Sequence, residues 1–163
     1  MNSPTWRLAQ ADTTVKLFLT AFLLLLTSGY AIGLLFVDHT TSGTPEGLAE
    51  QYRGTPEGVE KAELKYAKSP DEMSIFLHNH ILSLSLVFFA VGGICSFSSI
   101  REGWKRFLIV EPFVAIGTTF GGLGLMRFVS AAFSWLVLIS GLTMVACYIV
   151  MVVIILKELW WRG

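Results

Sequence analysis

The stretch LFLTAFLLLLTSGYAIGLLFV, residues 17–37, decides the fold: it runs for 21 residues without a charge. As a helix rising 1.5 Å per residue it reaches about 31 Å, which matches a hydrocarbon core of about 30 Å. The beginning of a signal peptide would look similar, with Arg7 and Lys16 ahead of it and Gly29-Tyr30-Ala31 as a cleavage sequence. The apolar residues continue past that point through Leu34, Leu35, Phe36 and Val37, so the reading is a retained span. Three more runs follow, at residues 74–100, 107–126 and 135–156. In lipid a backbone must satisfy its own hydrogen bonds, so all four are expected as helices.

The rest of the composition agrees. Of 163 residues 53% are apolar and only 15% are charged, with a mean hydropathy of +0.63. A soluble domain carries roughly 25% charged residues. A chain this short cannot hide so much apolar surface in a water-soluble core. An ordinary soluble enzyme, a disordered chain and a basic nucleic-acid binder are excluded. The expected fold is all-α: a polytopic membrane protein, one membrane domain over residues 1–163, with four transmembrane helices bundled under a short helical extracytoplasmic cap.

The net charge is zero, but it is unevenly divided. Arg7, Lys16, Arg101, Lys105, Arg106, Lys157 and Arg162 fall on one side of the four spans, with Asp12, Glu102, Glu111 and Glu158. The other side has Arg53, Lys61, Lys65, Lys68 and Arg127 against the other eight acids. The cluster in the tight turn around Arg101 places both termini in the cytoplasm under the positive-inside rule, in a bacterial inner membrane. Trp104, Trp135, Trp160 and Trp161 sit at span ends, where interfacial tryptophans belong.

Residues 38–73 form the one sizeable loop. Gly43-Thr44-Pro45-Glu46-Gly47 recurs as Gly54-Thr55-Pro56-Glu57-Gly58, and Ser69-Pro70-Asp71-Glu72 follows. Each unit combines a hydroxyl N-cap, proline at the first helical position and an early acid, which is a helix-start signal. A helix is expected over 45–52, a second over 56–67, and a start at Pro70 for the second span. In the middle helix Glu57 and Lys61 would pair four residues apart. Val59, Ala62 and Tyr66 would face the membrane. The loop's bland reading is a solvated cover.

All three histidines lie on the loop side. An ionisable group at membrane depth is costly and invites a functional reading. Histidines bind haem iron, copper or zinc, and facing helices hold such cofactors. His78 and His80 are two apart, so on one helix they diverge by about 160° and cannot share a metal. His78 heads a stripe with Ser85 and Gly92 and is the expected inward ligand. His39 would be its partner from the neighbouring helix end, and Arg127 would hold a haem propionate. His80 lies nearer Leu84 and Val87, which read as a lipid or packing face. Against this stands a bland alternative, in which the histidines are interfacial and hydrogen-bond to loop carbonyls and water.

Glu111 is the other intramembrane ionisable group. It lies about one turn past Arg106, so an interfacial pairing with Arg106 or Lys105 is preferred over a proton relay. Gly29 with Gly33, and Gly117, Gly121 and Gly124, mark close helix approach. Packing of the first span on the third accounts for them, although docking against another subunit would look identical. Cys95 and Cys147 read as small core residues, and there is no CxxC pair.

The stretch from Ser69-Pro70-Asp71-Glu72-Met73 through Leu77-His78-Asn79-His80-Ile81-Leu82-Ser83 resembles uncharacterised bacterial four-span inner-membrane proteins with a His-x-His heading the second span. With the upstream Thr-Pro-Glu-Gly and Gln51-Tyr52-Arg53-Gly54 pieces, the likeness covers about a third of the chain. It implies this topology and an inner-membrane home, and brings no activity or site residue.

Three functions stay open. The first is a non-catalytic membrane subunit or partner of a respiratory or photosynthetic electron-transfer complex, embedded in the bilayer beside other membrane subunits, with a periplasmic redox protein as a further partner. The second is a b-type haem or copper protein working through His78 and His39. The third is a small transporter. No nucleophile–base set or phosphate loop is present, and nucleic acid is not an expected partner.

Overall fold

The computed structural model describes residues 6–59 and 64–161. Lys61 and Ala62, assigned above to the middle loop helix, and Arg162, counted among the bases, lie outside them. The chain runs through a 3-10 turn, Leu8–Gln10, then five α-helices: α1 Thr13–Thr41, α2 Pro45–Arg53, α3 Pro70–Cys95, α4 Glu102–Phe128 and α5 Ser134–Trp160. Among the described residues there are no strands. Four helices, α1, α3, α4 and α5 (with the short turn before it), are long and apolar enough to cross a membrane. The all-α, four-span fold is therefore as the composition implied.

Local chemistry sets the helix limits. Asp12 starts α1 by accepting the Val15 N–H at 2.9 Å. The helix ends where Ser42 and Gly43 turn left-handed, at φ 54° and 59°. Thr44 caps α2 through the Gly47 N–H. At Gly47 a Cβ would sit 1.8 Å from the Thr41 carbonyl oxygen, so only glycine lets α2 back onto the end of α1. Ser69 and Glu72 form the capping box that starts α3: the Ser69 N–H donates to Glu72 at 2.7 Å, and the Glu72 N–H donates to Ser69 Oγ at 3.2 Å. That box starts the second span at 70 rather than 74. At its other end the helix stops at Cys95, and residues 96–101 form the turn into α4.

The middle helix-start signal fails. Residues 54–59 and 64–67 are not helical, against the helix expected over 56–67. The hydroxyl meant to cap it is engaged elsewhere: Thr55 Oγ1 donates to Glu50 Oε1 and accepts the Lys65 N–H, both at 2.9 Å. The Thr55 N–H donates to the Lys65 carbonyl, and Gly54 and Gly58 both hold positive φ. The segment closes as a loop pinned at Thr55 and Lys65. Val59 and Tyr66, expected on a membrane-facing side of that helix, are exposed on this loop.

Helices α3, α4 and α5 form the packed core, with the most extensive contact between α4 and α5. Phe88, Val91 and Cys95 of α3 meet Ile116, Phe120 and Leu123 of α4 and Tyr148, Met151 and Ile155 of α5 there. Helix α1 leans on α5 and touches α3 through Tyr30 and Phe88. Its most apolar window is only 6% buried, against 44% for α4. Helix α1 is thus the outrigger of the bundle, and α2 with the 54–69 loop covers one end. Both described chain ends lie at the other. There the Leu8 N–H donates to Phe97 O at 3.2 Å, and the Ser99 N–H donates to both oxygens of Glu158 at 2.8 Å.

Candidate functional site

The cap end is built on unsatisfied helix C-termini. The last carbonyls of a helix lack intrahelical donors and carry partial negative charge. Arg53 Nη1 donates to the carbonyls of Met126 and Arg127 at 2.7 and 3.2 Å, closing α4. Lys65 Nζ donates to the Thr40 carbonyl, closing α1. Arg127 Nε donates to the Lys68 carbonyl at 2.6 Å, and its guanidinium lies 5.1 Å from the Phe128 ring. Bases that read as loop charges are struts between the cap and the spans. Arg127, assigned to a haem propionate, donates its Nε to backbone here.

Beneath α2 lies an aromatic stack. Tyr52 meets Phe76 edge-on at 5.5 Å, Phe76 lies 4.0 Å from the His80 ring, and His80 lies 5.7 Å from Phe120. His80 Nδ1 is 2.9 Å from the Phe76 carbonyl, a contact in which Nδ1 donates. Burial pushes the Tyr52 hydroxyl up to about 12.

This reverses the expected facing of the two histidines. His80 is half-buried inside, while His78 and His39 are both exposed. The inward stripe of α3 is Met73, His80, Leu84, Phe88, Val91 and Cys95, at helical steps of three, four and seven. Of the stripe His78, Ser85 and Gly92, expected to turn inward, Gly92 is buried and His78 is exposed. His39 lies near the end of α1 and His78 near the start of α3, both on the cap side of the Tyr30–Phe88 ring contact that joins the two helices. Among the described residues no three of His, Cys, Asp and Glu are grouped to hold a metal.

The bundle interior holds a polar seam. Tyr30 stacks on Tyr148 at 4.3 Å, and Tyr148 Oη pairs with Thr27 Oγ1 at 3.0 Å. Thr119 and Ser140 join α4 to α5 at 2.7 Å. Glu111 belongs to this seam and not to the interface with Lys105 or Arg106. Those two bases reach Glu102 at 3.2 and 3.9 Å. Helical geometry explains the correction: Glu102 is three and four residues from them, on one face, whereas Glu111 is six and five residues away, turned off by more than 100°. Glu111 instead neighbours the Cys147 thiol of α5. Its Oε2 is buried with no partner, as is the Tyr30 hydroxyl.

Glycine placement supplies the remaining feature. Added Cβ atoms at Gly29, Gly33, Gly117, Gly121 and Gly124 would meet nothing within 4 Å. The expected packing of α1 on α4 through these notches is absent, since α1 packs on the far side of α5 and α3. The glycines that do mediate close approach are Gly92, 3.5 Å from Ile109 Cγ2, and Gly122, 3.1 Å from Val137 Cγ2. A groove of about 780 Å³ also opens at the cap end, lined by Glu46, Glu50, Glu57, Pro45, Ala131 and Trp135.

Sequence reading missed Arg53, Lys65 and Glu158 as structural anchors. Glu158 had a visible signal, because it continues the buried stripe of Met144, Cys147, Met151 and Ile155. Arg53 and Lys65 had none, because their carbonyl partners lie on helices distant in sequence.

A family model described as a transmembrane helical domain matches residues 42–163. No match was found among curated proteins or among solved structures.

Proposed function

The chain belongs to this family of transmembrane helical domains, and from that premise we propose that it is a non-catalytic membrane subunit whose open helix faces receive other membrane helices. One observation carries the reading: two glycine-notched faces, on α1 and α4, point away from the bundle with nothing against them. In lipid, helices associate where small residues let backbones approach, so a notch at Gly117 and Gly121 is a seat for a neighbouring helix. Leu25, Ile32 and Phe36 flank the notch on α1, and Val114, Leu125 and Phe128 the one on α4, all exposed.

The finer setting follows the sequence. The host we favour is an electron-transfer complex of a bacterial inner membrane, with both termini cytoplasmic. Support for that orientation comes from the charges: Arg101, Lys105 and Arg106 crowd the short turn between α3 and α4, whereas the bases at the cap end are spread along a longer loop.

Photo-reactive residues at positions 29 and 117 in native membranes test this. Adducts with a second polypeptide at these positions, and not at exposed Leu82 on α3, are the expected result. Adducts with lipid alone at all three positions would refute it. A dithionite-reduced spectrum of the purified assembly reports separately on bound haem.

A further inference from the structure

Glu111 presents one carboxyl oxygen to the bundle interior with no donor to meet it. It lies nine residues past the start of α4, about 14 Å along the helix, well inside a span. Lys105 and Arg106, the nearest bases along its own helix, are held by Glu102. From α5 the titratable neighbour is Cys147, whose thiol is only a weak donor. The next residue, Pro112, is buried and has no N–H. The Leu108 carbonyl, one turn back, therefore lacks its helical donor. One turn of α4 thus combines a carboxyl and a backbone carbonyl that both want a positive or donating partner.

A carboxylate so placed is costly unless something positive joins it. Packing alone would have been better served by leucine or methionine. We propose that Glu111, on the turn whose Leu108 carbonyl has lost its donor, is a binding site for a small monovalent cation, either a proton or Na⁺, inside the membrane. With a proton bound, the carboxyl becomes a hydrogen-bond donor, and the donor-less Leu108 carbonyl on the same turn is the acceptor the proposal assigns to it. With Na⁺ bound, both oxygens act as ligands. The site is separate from the glycine-notched faces and does not depend on the subunit reading.

The test uses the full-length protein in lipid vesicles and dicyclohexylcarbodiimide, an apolar reagent that modifies protonated carboxyls in membranes. Peptide mapping by mass spectrometry locates the adduct. Glu111 is expected to react at least 10-fold faster than the exposed Glu72, and Glu111→Gln is expected to lose that adduct while keeping the same detergent-solubilised elution. Protection by added Na⁺ and not by choline assigns sodium; reaction indifferent to Na⁺ assigns the proton. In Na⁺-free buffer, reaction of Glu111 no faster than Glu72 would overturn the proposal, because only a carboxylate that holds neither Na⁺ nor a proton there fails to form the adduct. The readout is the wild-type adduct, so the proposal stands or falls even if the variant fails to fold.

Discussion

Replacing Gly117 and Gly121 together by isoleucine separates the stability of this bundle from its association with other helices. Neither position has an atom within 4 Å of a built Cβ, so the new side chains enter open space on α4. Glycine is about 1 kcal/mol less favourable than alanine in a helix and isoleucine loses only part of that, so the double variant gains a few tenths of a kcal/mol per site. Gly122, the adjacent residue, is the internal control. A Cβ there lies 3.1 Å from Val137 Cγ2 and 3.5 Å from Leu136 Cδ2. Isoleucine adds further atoms into that contact, and overpacking of this kind costs about 1–3 kcal/mol. Unfolding of the detergent-purified chain in rising dodecyl sulfate, followed by tryptophan fluorescence, measures the first quantity. Cross-linking in native membranes from exposed Val114, beside the notch on α4, measures the second. The G117I/G121I protein is expected to unfold at or above the wild-type midpoint and to lose its α4 adduct, while G122I unfolds earlier. If G117I/G121I is destabilised as much as G122I, the face is not open and the reasoning from the glycines is wrong.

The histidines give a clean contrast: His80→Ala removes a ring stacked on Phe76 and Phe120 and should cost about 1–2 kcal/mol in the same unfolding assay, whereas His78→Ala should lie within about 0.5 kcal/mol of wild type. Equal effects would contradict the inward stripe assigned to α3. Tyr52 makes the cap sensitive to alkali. Its hydroxyl titrates near 12 when folded and near 10 when released, so the stabilisation present below pH 10 is lost as pH rises toward 12. Limited proteolysis in the 54–59 loop should accelerate over that window in wild type, and the acceleration should shrink in Tyr52→Phe. At the opposite end, Glu158→Ala leaves the Ser99 N–H without its acceptor and should cost about 1–3 kcal/mol, read as an earlier unfolding midpoint. No shift would show that the turn is held by Leu8 and Phe97 alone.

The helices themselves were legible because bilayer thickness and obligatory backbone pairing leave little choice once twenty apolar residues occur in a row. Capping chemistry was equally local: Thr44 and Ser69 each satisfy an N–H within three residues, so the starts of α2 and α3 could be read off directly. The candidate site was less legible. A hydroxyl can be claimed by a distant partner, as Thr55 is by Glu50 and Lys65, and the second loop unit then never becomes a helix. In a membrane span both the lipid side and the packed side are apolar, so the pattern of α3 could not say whether His78 or His80 turned inward.

What the sequence determined by itself is the solvent, the number of spans and most of their starting points, because each depends on one segment and its surroundings of water or lipid. Only the tertiary structure decided which faces meet. It set α1 apart from α4, left five glycines in the open, brought Arg53 to the end of α4 and turned Glu111 toward Cys147. Those outcomes depend on how side chains from different helices fill one shared volume, and that competition is absent from any helix taken alone.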